Sequence, residues 1–274
     1  MTALYVAKTV IEADPTGRAV VLVVCAEACS VHLSSAPQLE AIVGNTIFAD
    51  GAACAIVTNA GFRGAQRTPS RLTRSIVGDD WEWAIGAMSS EIVPNSAGAM
   101  TWRQSEESGR YDMWLSRDIP SALTDFFVSR GLEIMARVGI LNPFGVAWAL
   151  HPGGKSIILG FEKALVGLGL GTSGISASQD VLKEHGNMSS ATIFFVLQRV
   201  LSTTDRDNVF FAGFGPGLTV EFGALHRTKT NQKGDIEGVK GDAEQELPSD
   251  ASSATASGDE EIESRGAVEA ARHK

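Results

Sequence analysis

The stretch Phe211-Ala-Gly-Phe-Gly-Pro-Gly-Leu-Thr-Val-Glu221 places three glycines and a proline between two apolar runs that favour β-structure. Glycine reaches positive φ at little cost and proline fixes φ, so this composition predicts a tight turn between two strands. We expect these strands at residues 208–214 and 218–226. A turn with so little side chain lets the main chain approach a ligand or another backbone closely.

The chain on the N-terminal side of this hairpin alternates between strand and helix patterns. Apolar runs predict strands at residues 18–25, 52–57 and 146–150, and the first two have the composition of strands buried on both faces. Short strands are also expected at residues 101–104 and 112–116. Helical spacing predicts helices at residues 2–13, 37–48, 120–138, 156–168, 176–184 and about 189–201. The alternation predicts a layered α/β fold.

Charge and composition exclude several classes of protein. The net charge is −9, and 44% of the residues are hydrophobic, which is ample for a core. An acidic chain lacks the basic stripe of a nucleic-acid surface. The sequence has no apolar run long enough to span a membrane, and its N-terminus lacks the pattern of a secretion signal. With only three cysteines, too few for a disulfide framework, the composition predicts a cytoplasmic protein.

Three short segments could carry chemistry. Trp148-Ala-Leu-His151-Pro-Gly-Gly154 has a histidine at the C-terminal end of a predicted strand, where open α/β sheets place active-site groups. Gly186-Asn187-Met-Ser-Ser190 has an amide side chain beside a predicted helix N-terminus, and Gly213-Phe-Gly-Pro-Gly217 is the glycine turn. Each segment alone has a purely structural interpretation, as a hydrogen-bonded histidine, a helix cap and a hairpin turn.

Together and in this order, the three segments resemble the type III polyketide synthases, the chalcone and stilbene synthase family of the thiolase fold. Two upstream segments, Val23-Val-Cys-Ala-Glu27 and Gly44-Asn-Thr-Ile-Phe-Ala-Asp-Gly-Ala-Ala53, also resemble family segments. The resemblance covers about residues 2–226. It implies a layered α-β-α fold in which residues 1–60 are a remnant of the N-terminal thiolase half and residues 61–226 form the C-terminal half.

The resemblance also implies an activity, the decarboxylative Claisen condensation of malonyl-CoA onto an acyl-CoA starter followed by cyclisation. His151 and Asn187 match the family's catalytic pair, which donates hydrogen bonds to the thioester carbonyl and stabilises the enolate. His151 would also hold a nucleophilic cysteine as its thiolate. Phe48 matches a gatekeeper aromatic between the CoA tunnel and the cavity, and Ser156 matches a CoA-binding position. Cavity-wall positions of the family match Gly44, Ala49, Ser189, Gly213, Phe214, Gly215, Pro216 and Gly217.

The implied ligands are CoA thioesters as substrates, with no further cofactor and no metal, and the implied assembly is a homodimer. The family's nucleophilic cysteine lies a few residues before the segment that corresponds to Thr2-Ala-Leu-Tyr-Val-Ala-Lys8. None of Cys25, Cys29 and Cys54 matches its position, and we expect each to be a buried small hydrophobic residue. We therefore expect an N-terminally truncated chain that makes no polyketide. The family often has a second gatekeeper phenylalanine near the position of residues 111–114, but no residue of this chain clearly matches it.

The sequence is also compatible with two other functions and with one other explanation of the missing half. The chain could be a non-catalytic fragment that binds a full-length homologue, because losing one thiolase half exposes apolar surface. It could be a ketoacyl synthase of the fatty-acid type, which shares the fold and a His/Asn pair. An incomplete gene model would also account for the missing half.

Residues 227–274 differ from the rest of the chain. They contain 11 acidic and seven basic residues and almost no large apolar side chains. Such a segment buries too little surface to offset its ordering entropy, so a disordered acidic tail is predicted. The acidic groups Asp79-Asp80 with Glu82, and Glu106-Glu107, are expected to be solvated loop charges rather than metal ligands.

Overall fold

The structure is a computed structural model that describes residues 1–34, 38–59, 81–104, 109 and 111–229. All of them belong to one compact unit, Met1–Gln232. The acidic pairs Asp79-Asp80 and Glu106-Glu107, and the predicted tail from residue 230 onward, lie outside the described residues. The division of the chain near residue 60 into two thiolase halves stays a prediction.

Eight strands and six α-helices make up the described part of the chain. The strands are β1 Val20–Glu27, β2 Gly51–Thr58, β3 Trp81–Ile92, β4 Met100–Gln104, β5 Tyr111–Leu115, β6 Val146–Leu150, β7 Asn208–Gly215 and β8 Thr219–Lys229. The helices are α1 Thr2–Ala13, α2 Leu39–Ile47, α3 Ile119–Arg137, α4 Lys155–Gly167, α5 Ile175–His185 and α6 Thr192–Thr203. None of these helices is both long and apolar enough to cross a bilayer.

The central element is a four-stranded sheet with the order β3-β8-β7-β6. Strand β6 runs parallel to β7, and the other pairs are antiparallel. One face packs on α3 and α4 through a core that includes Phe127, Trp148, Phe161 and Phe210. This mixed sheet covered by helices is the α/β architecture that the sequence predicts.

Helices α1 and α6 pack between this sheet and a second, two-stranded sheet formed by β1 and β2. Leu4 of α1, Val196 of α6 and Val23 of β1 share one core with Ala149 and Phe211 of the larger sheet. The layers therefore follow the order helix, sheet, helix, sheet.

The prediction that β1 and β2 are buried on both faces is wrong. Only alternate side chains of these strands point toward the helices. On the other face Val20, Leu22 and Val24 are 51%, 59% and 61% exposed, and Ile56 is 70% exposed. The run is apolar on both faces, but no element in the described part of the chain covers the outer one.

Three local features differ from the sequence expectations. Strand β3 is missing from the predictions because a register shift between Ile85 and Met88 breaks its alternating pattern. The helix expected from residue 189 begins as a 3₁₀ segment, and α6 starts only at Thr192. Strand β8 continues to Lys229, three residues into the predicted tail.

The glycine-rich turn joins β7 to β8, as predicted. A short 3₁₀ segment, Pro216–Leu218, forms the connection, and Gly217 takes a φ of 73° inside it. A side chain is strained at this φ, so glycine at this position lets the two strands pair from Gly215–Thr219 down to Asn208–His226.

Candidate active site

His151 follows directly after β6 and is fixed by its main chain. Its N–H donates to the carbonyl of Ala212 in β7 at 2.8 Å, and its carbonyl accepts the N–H of Gly153 at 3.0 Å. The residue is 9% exposed, and its ring contacts that of Phe214 at a centroid distance of 5.9 Å. No hydrogen bond joins the His151 ring to another residue in the part of the chain that the structure describes.

Asn187 lies beside His151 because two chain segments meet at this point. Its N–H donates to the carbonyl of Ile47 at 2.8 Å, and its carbonyl accepts the N–H of Ala49 at 2.9 Å. This short parallel bridge also places Phe48 next to Asn187. The side-chain Nδ2 of Asn187 lies 3.5 Å from the carbonyl of Gly153, in the loop that carries His151.

The orientation of the Asn187 amide follows from its hydrogen bonds. The N–H of Ser189 donates to Oδ1 at 2.9 Å, and the hydroxyl of Thr192 lies 3.5 Å from the same oxygen. Only the oxygen of an amide can accept these donors, so the NH₂ group faces Gly153. The free part of Asn187 toward a ligand is therefore a hydrogen-bond donor.

The electrostatic environment keeps His151 neutral. Burial lowers its pKa to about 4, and the ammonium group of Met1 adds a smaller repulsion. At neutral pH the imidazole carries one N–H donor and no charge. The site thus combines two neutral donors that could hydrogen-bond to a carbonyl oxygen as negative charge develops on it.

Both donors line a cavity of about 730 Å³, here called the first cavity. Seven other predicted site residues line it as well: Phe48, Ser156, Ser189, Gly213, Phe214, Gly215 and Pro216. Gly217 lines neither this cavity nor its neighbour, and its contribution is the turn described above.

A second cavity of about 760 Å³ adjoins the first, and Gly44 and Ala49 line it. Phe48 lines both cavities, which is the placement expected of a gatekeeper. Met113 of β5 also lines both, together with Trp102 and Leu115, and sequence reasoning assigned none of these three. The sequence signal that could have identified them is the pair of predicted strands at residues 101–104 and 112–116. Their antiparallel pairing places Trp102 opposite Met113.

The three cysteines occupy three different environments. The expectation that each is buried is wrong, because Cys25 and Cys29 are half-buried and Cys54 is exposed on β2. Cys29 lines the second cavity, where burial and the nearby Glu27 and Asp50 carboxylates raise the pKa of its thiol. None of the three lines the first cavity with His151.

The N-terminal end of α1 borders the first cavity. Met1 and Thr2 line it beside His151, and the Met1 ammonium lies 3.7 Å from the carboxylate of Glu221. The hydroxyl of Thr2 donates to the same carboxylate. Helix α1 therefore points its partially positive end at the site. Among the described residues, no group of three or more His, Cys, Asp or Glu side chains forms a metal site.

The layered α/β fold, with histidine and asparagine donors at one cavity, is the arrangement that the resemblance to the thiolase fold implies. The family model described as "Chalcone and stilbene synthases, C-terminal domain" matches residues 84–228. The chain therefore belongs to the chalcone and stilbene synthase family.

A solved structure agrees with this assignment. It is the C-terminal type III polyketide synthase domain of Steely1, a type I/III hybrid from Dictyostelium, with a TM-score of 0.65 and 26% sequence identity. The match covers 82% of this chain and 58% of that domain's chain. The present chain thus corresponds to little more than half of the related domain.

Proposed function

We propose that this chain carries the malonyl-decarboxylating site of a type III polyketide synthase-like acyltransferase. The observation that supports it is the pair of donors, His151 and Asn187, at one cavity, with the Asn187 NH₂ group directed by Ser189. In malonyl-CoA the bond to the carboxylate would break, CO₂ would leave, and the electron pair would form the enolate of the thioester. Hydrogen bonds from both side chains would stabilise the enolate oxygen.

Condensation needs, in addition, an acyl group held on a nucleophile. No cysteine of this chain lines the first cavity, and the raised pKa of Cys29 keeps its thiol protonated. We therefore expect the enolate to take up a proton and leave as acetyl-CoA. The proposed substrates of this chain are therefore CoA thioesters. The proposed reaction forms no polyketide and needs no further cofactor.

The test is to incubate the purified protein with malonyl-CoA, with and without an acyl-CoA starter, and to identify the products by mass spectrometry. We expect acetyl-CoA and CO₂ in both reactions and no polyketide. Because each removes one oxyanion donor, His151→Ala and Asn187→Ala should each lower the rate about 100- to 1,000-fold. Ser129→Ala, on α3, is the control and should leave the rate unchanged.

Two results would contradict the proposal. A polyketide that disappears in His151→Ala would show that condensation does take place. Acetyl-CoA formed equally fast by His151→Ala and by the unchanged protein would show that the decarboxylating site lies elsewhere.

A different observation favours a second function. The uncovered apolar face of β1 and β2 is suited to a non-catalytic chain that binds a full-length homologue. Mixing the protein with a complete type III polyketide synthase and measuring the mass by light scattering tests this, and separate peaks would argue against it. The family match favours both of these functions over a ketoacyl synthase of the fatty-acid type.

A further inference from the structure

Strand β6, which ends at His151, is an edge strand of the four-stranded sheet. All five of its residues are buried. On the side away from β7, no strand in the described ranges pairs with it. Buried peptide groups without a partner cost free energy, so the free side of β6 must find its hydrogen bonds elsewhere.

The loop before α5 and the first turn of that helix supply hydrogen bonds to Trp148 and Leu150. The N–H of Trp148 donates to the carbonyl of Ser173 at 2.8 Å. A Cβ on Gly174, whose φ is 87°, would lie 2.6 Å from the Trp148 carbonyl oxygen, so only glycine permits this approach. The start of α5 thus takes the place of a fifth strand.

Ser178 completes the edge at the last residue of β6. Its hydroxyl donates to the carbonyl of Leu150 at 2.7 Å and accepts the N–H of the same residue at 3.3 Å. Ser178 is fully buried. A single hydroxyl therefore satisfies both peptide groups of the residue that immediately precedes His151.

This anchor matters because no hydrogen bond from a described residue holds the imidazole itself, which packs against Phe214. The ring of His151 makes no hydrogen bond to another described residue, so its direction depends on the main chain at the end of β6. Ala212 holds that main chain from the β7 side through the His151 N–H. Ser178 holds it from the opposite side through Leu150.

We propose that Ser178 is a positioning residue for His151, acting through the two peptide groups of Leu150. This inference rests on the proposed function only for the consequence in catalysis, since the hydrogen bonds themselves are independent of any substrate. Alanine at this position would leave two buried peptide groups without partners, and the end of β6 would shift to regain them. Threonine would keep the hydroxyl, and cysteine would keep the size with a weaker donor.

The experiment compares Ser178→Ala, Ser178→Thr and Ser178→Cys with two controls. Ser129→Ala removes a serine-to-carbonyl bond on α3, where the hydroxyl donates to Phe126 at 3.0 Å. Ile134→Val removes one methylene group from a buried core position on α3 and leaves the hydrogen bonds between Ser178 and Leu150 in place. The main readout is the Cε1–H resonance of His151 in protein with ¹³C-labelled histidine, assigned by its loss in His151→Gln and followed across pH. The second readout is malonyl-CoA decarboxylation.

We expect Ser178→Ala to shift the His151 resonance and to move its titration toward the ordinary pKa of histidine. Because misplacement of a reacting group by about 1 Å is costly, decarboxylation should fall about 10- to 100-fold. Ser178→Thr should restore both readouts, Ser178→Cys should be intermediate, and both controls should match the unchanged protein.

The outcomes separate the two proposals. A His151 resonance and titration in Ser178→Ala identical to those of Ser129→Ala would overturn the positioning role. If the unchanged protein does not decarboxylate malonyl-CoA, the proposed function fails, but the resonance still decides the role of Ser178. If Ser178→Ala does not fold, Ser178→Cys decides, and a resonance unchanged from the parent would overturn the inference.

Discussion

The orientation of Asn187 depends on an unusual backbone conformation at Ser189. Ser189 has a φ of 51°, a backbone conformation that residues other than glycine rarely adopt. Such a conformation costs roughly 1–3 kcal/mol and persists only where the surroundings enforce it. Here it directs the Ser189 N–H onto Oδ1 of Asn187. The segment Gly-Asn-Met-Ser-Ser therefore orients the NH₂ group of Asn187 as a hydrogen-bond donor, and does not only cap a helix.

The buried neutral His151 makes stability depend on pH. Burial lowers its pKa from 6.5 to about 4, so between these values the unfolded chain binds a proton that the folded chain does not. The free energy of unfolding should therefore fall as the pH drops from about 6.5, by about 3 kcal/mol in total near pH 4. Urea unfolding at a series of pH values measures this dependence.

Other groups titrate in the same range, so the control for this prediction is His151→Gln. The difference in unfolding free energy between the two proteins isolates the contribution of His151. That difference should change steadily between pH 7 and pH 4. A difference that stays constant over this range would contradict a lowered pKa for His151.

The sequence predicted the site residues that stand in short motifs and missed those that do not. His151, Asn187 and Phe48 lie in short motifs of characteristic sequence, and in the structure all three line the first cavity. Met113 and Ser178 have no such motif. Met113 is brought to the cavities by the pairing of β4 with β5, and Ser178 reaches β6 from helix α5.

At the scale of elements, predictions succeeded where one pattern extends through the whole segment, a helical period in α3 and a continuous apolar run in β6. Helix α3 and strand β6 lie within about one residue of their predicted bounds. The burial of β1 was predicted wrongly. An apolar run shows that both faces of a strand can be buried, but it does not show whether another element covers each face. The β3 strand was missed because its bulge interrupts the period of two.

An ion-pair network joins β3 to α3. Glu91, whose side chain is 13% exposed, pairs with Arg130 at 2.9 Å and with Arg137 at 2.5 Å. Because two arginines share one largely buried carboxylate, Glu91→Ala should lower the free energy of unfolding by roughly 1 kcal/mol. Chemical denaturation measures the change.

An exposed ion pair provides the comparison for that network. Glu12 of α1 pairs with Lys8 on the same helix, and its side chain is 62% exposed. Glu12→Ala should therefore change stability by no more than about 0.5 kcal/mol. Equal effects of Glu12→Ala and Glu91→Ala would show that the network adds nothing beyond ordinary surface pairs.

At the scale of the whole molecule, the four-stranded sheet is covered on both faces, whereas the sheet of β1 and β2 is covered on one. The uncovered face of β1 and β2 has no charged side chain and consists of Val20, Leu22, Val24, Ala26, Ala52, Cys54, Ile56 and Thr58. A contiguous apolar face of this kind promotes association. We therefore expect the purified chain to self-associate or to bind a partner through it.

Paired charges on this face should reduce association. Leu22 and Ile56 lie opposite each other in the sheet, so Leu22→Lys combined with Ile56→Glu places opposite charges side by side. Light scattering should show a smaller mean mass, and binding of a hydrophobic dye should decrease. Val166→Lys, at an exposed position on α4, is the control and should change neither. An unchanged mass in the double variant would place the association elsewhere.

Cys54 gives this face a chemical reporter of its own. It lies opposite Val24 in the middle of the uncovered sheet and is exposed, whereas Cys25 and Cys29 are half-buried. A thiol-specific alkylating reagent should therefore modify Cys54 first. Whatever covers this face, whether preceding polypeptide, a second copy or a homologue, must slow that one reaction, so the alkylation rate of a single side chain measures how completely the sheet is covered.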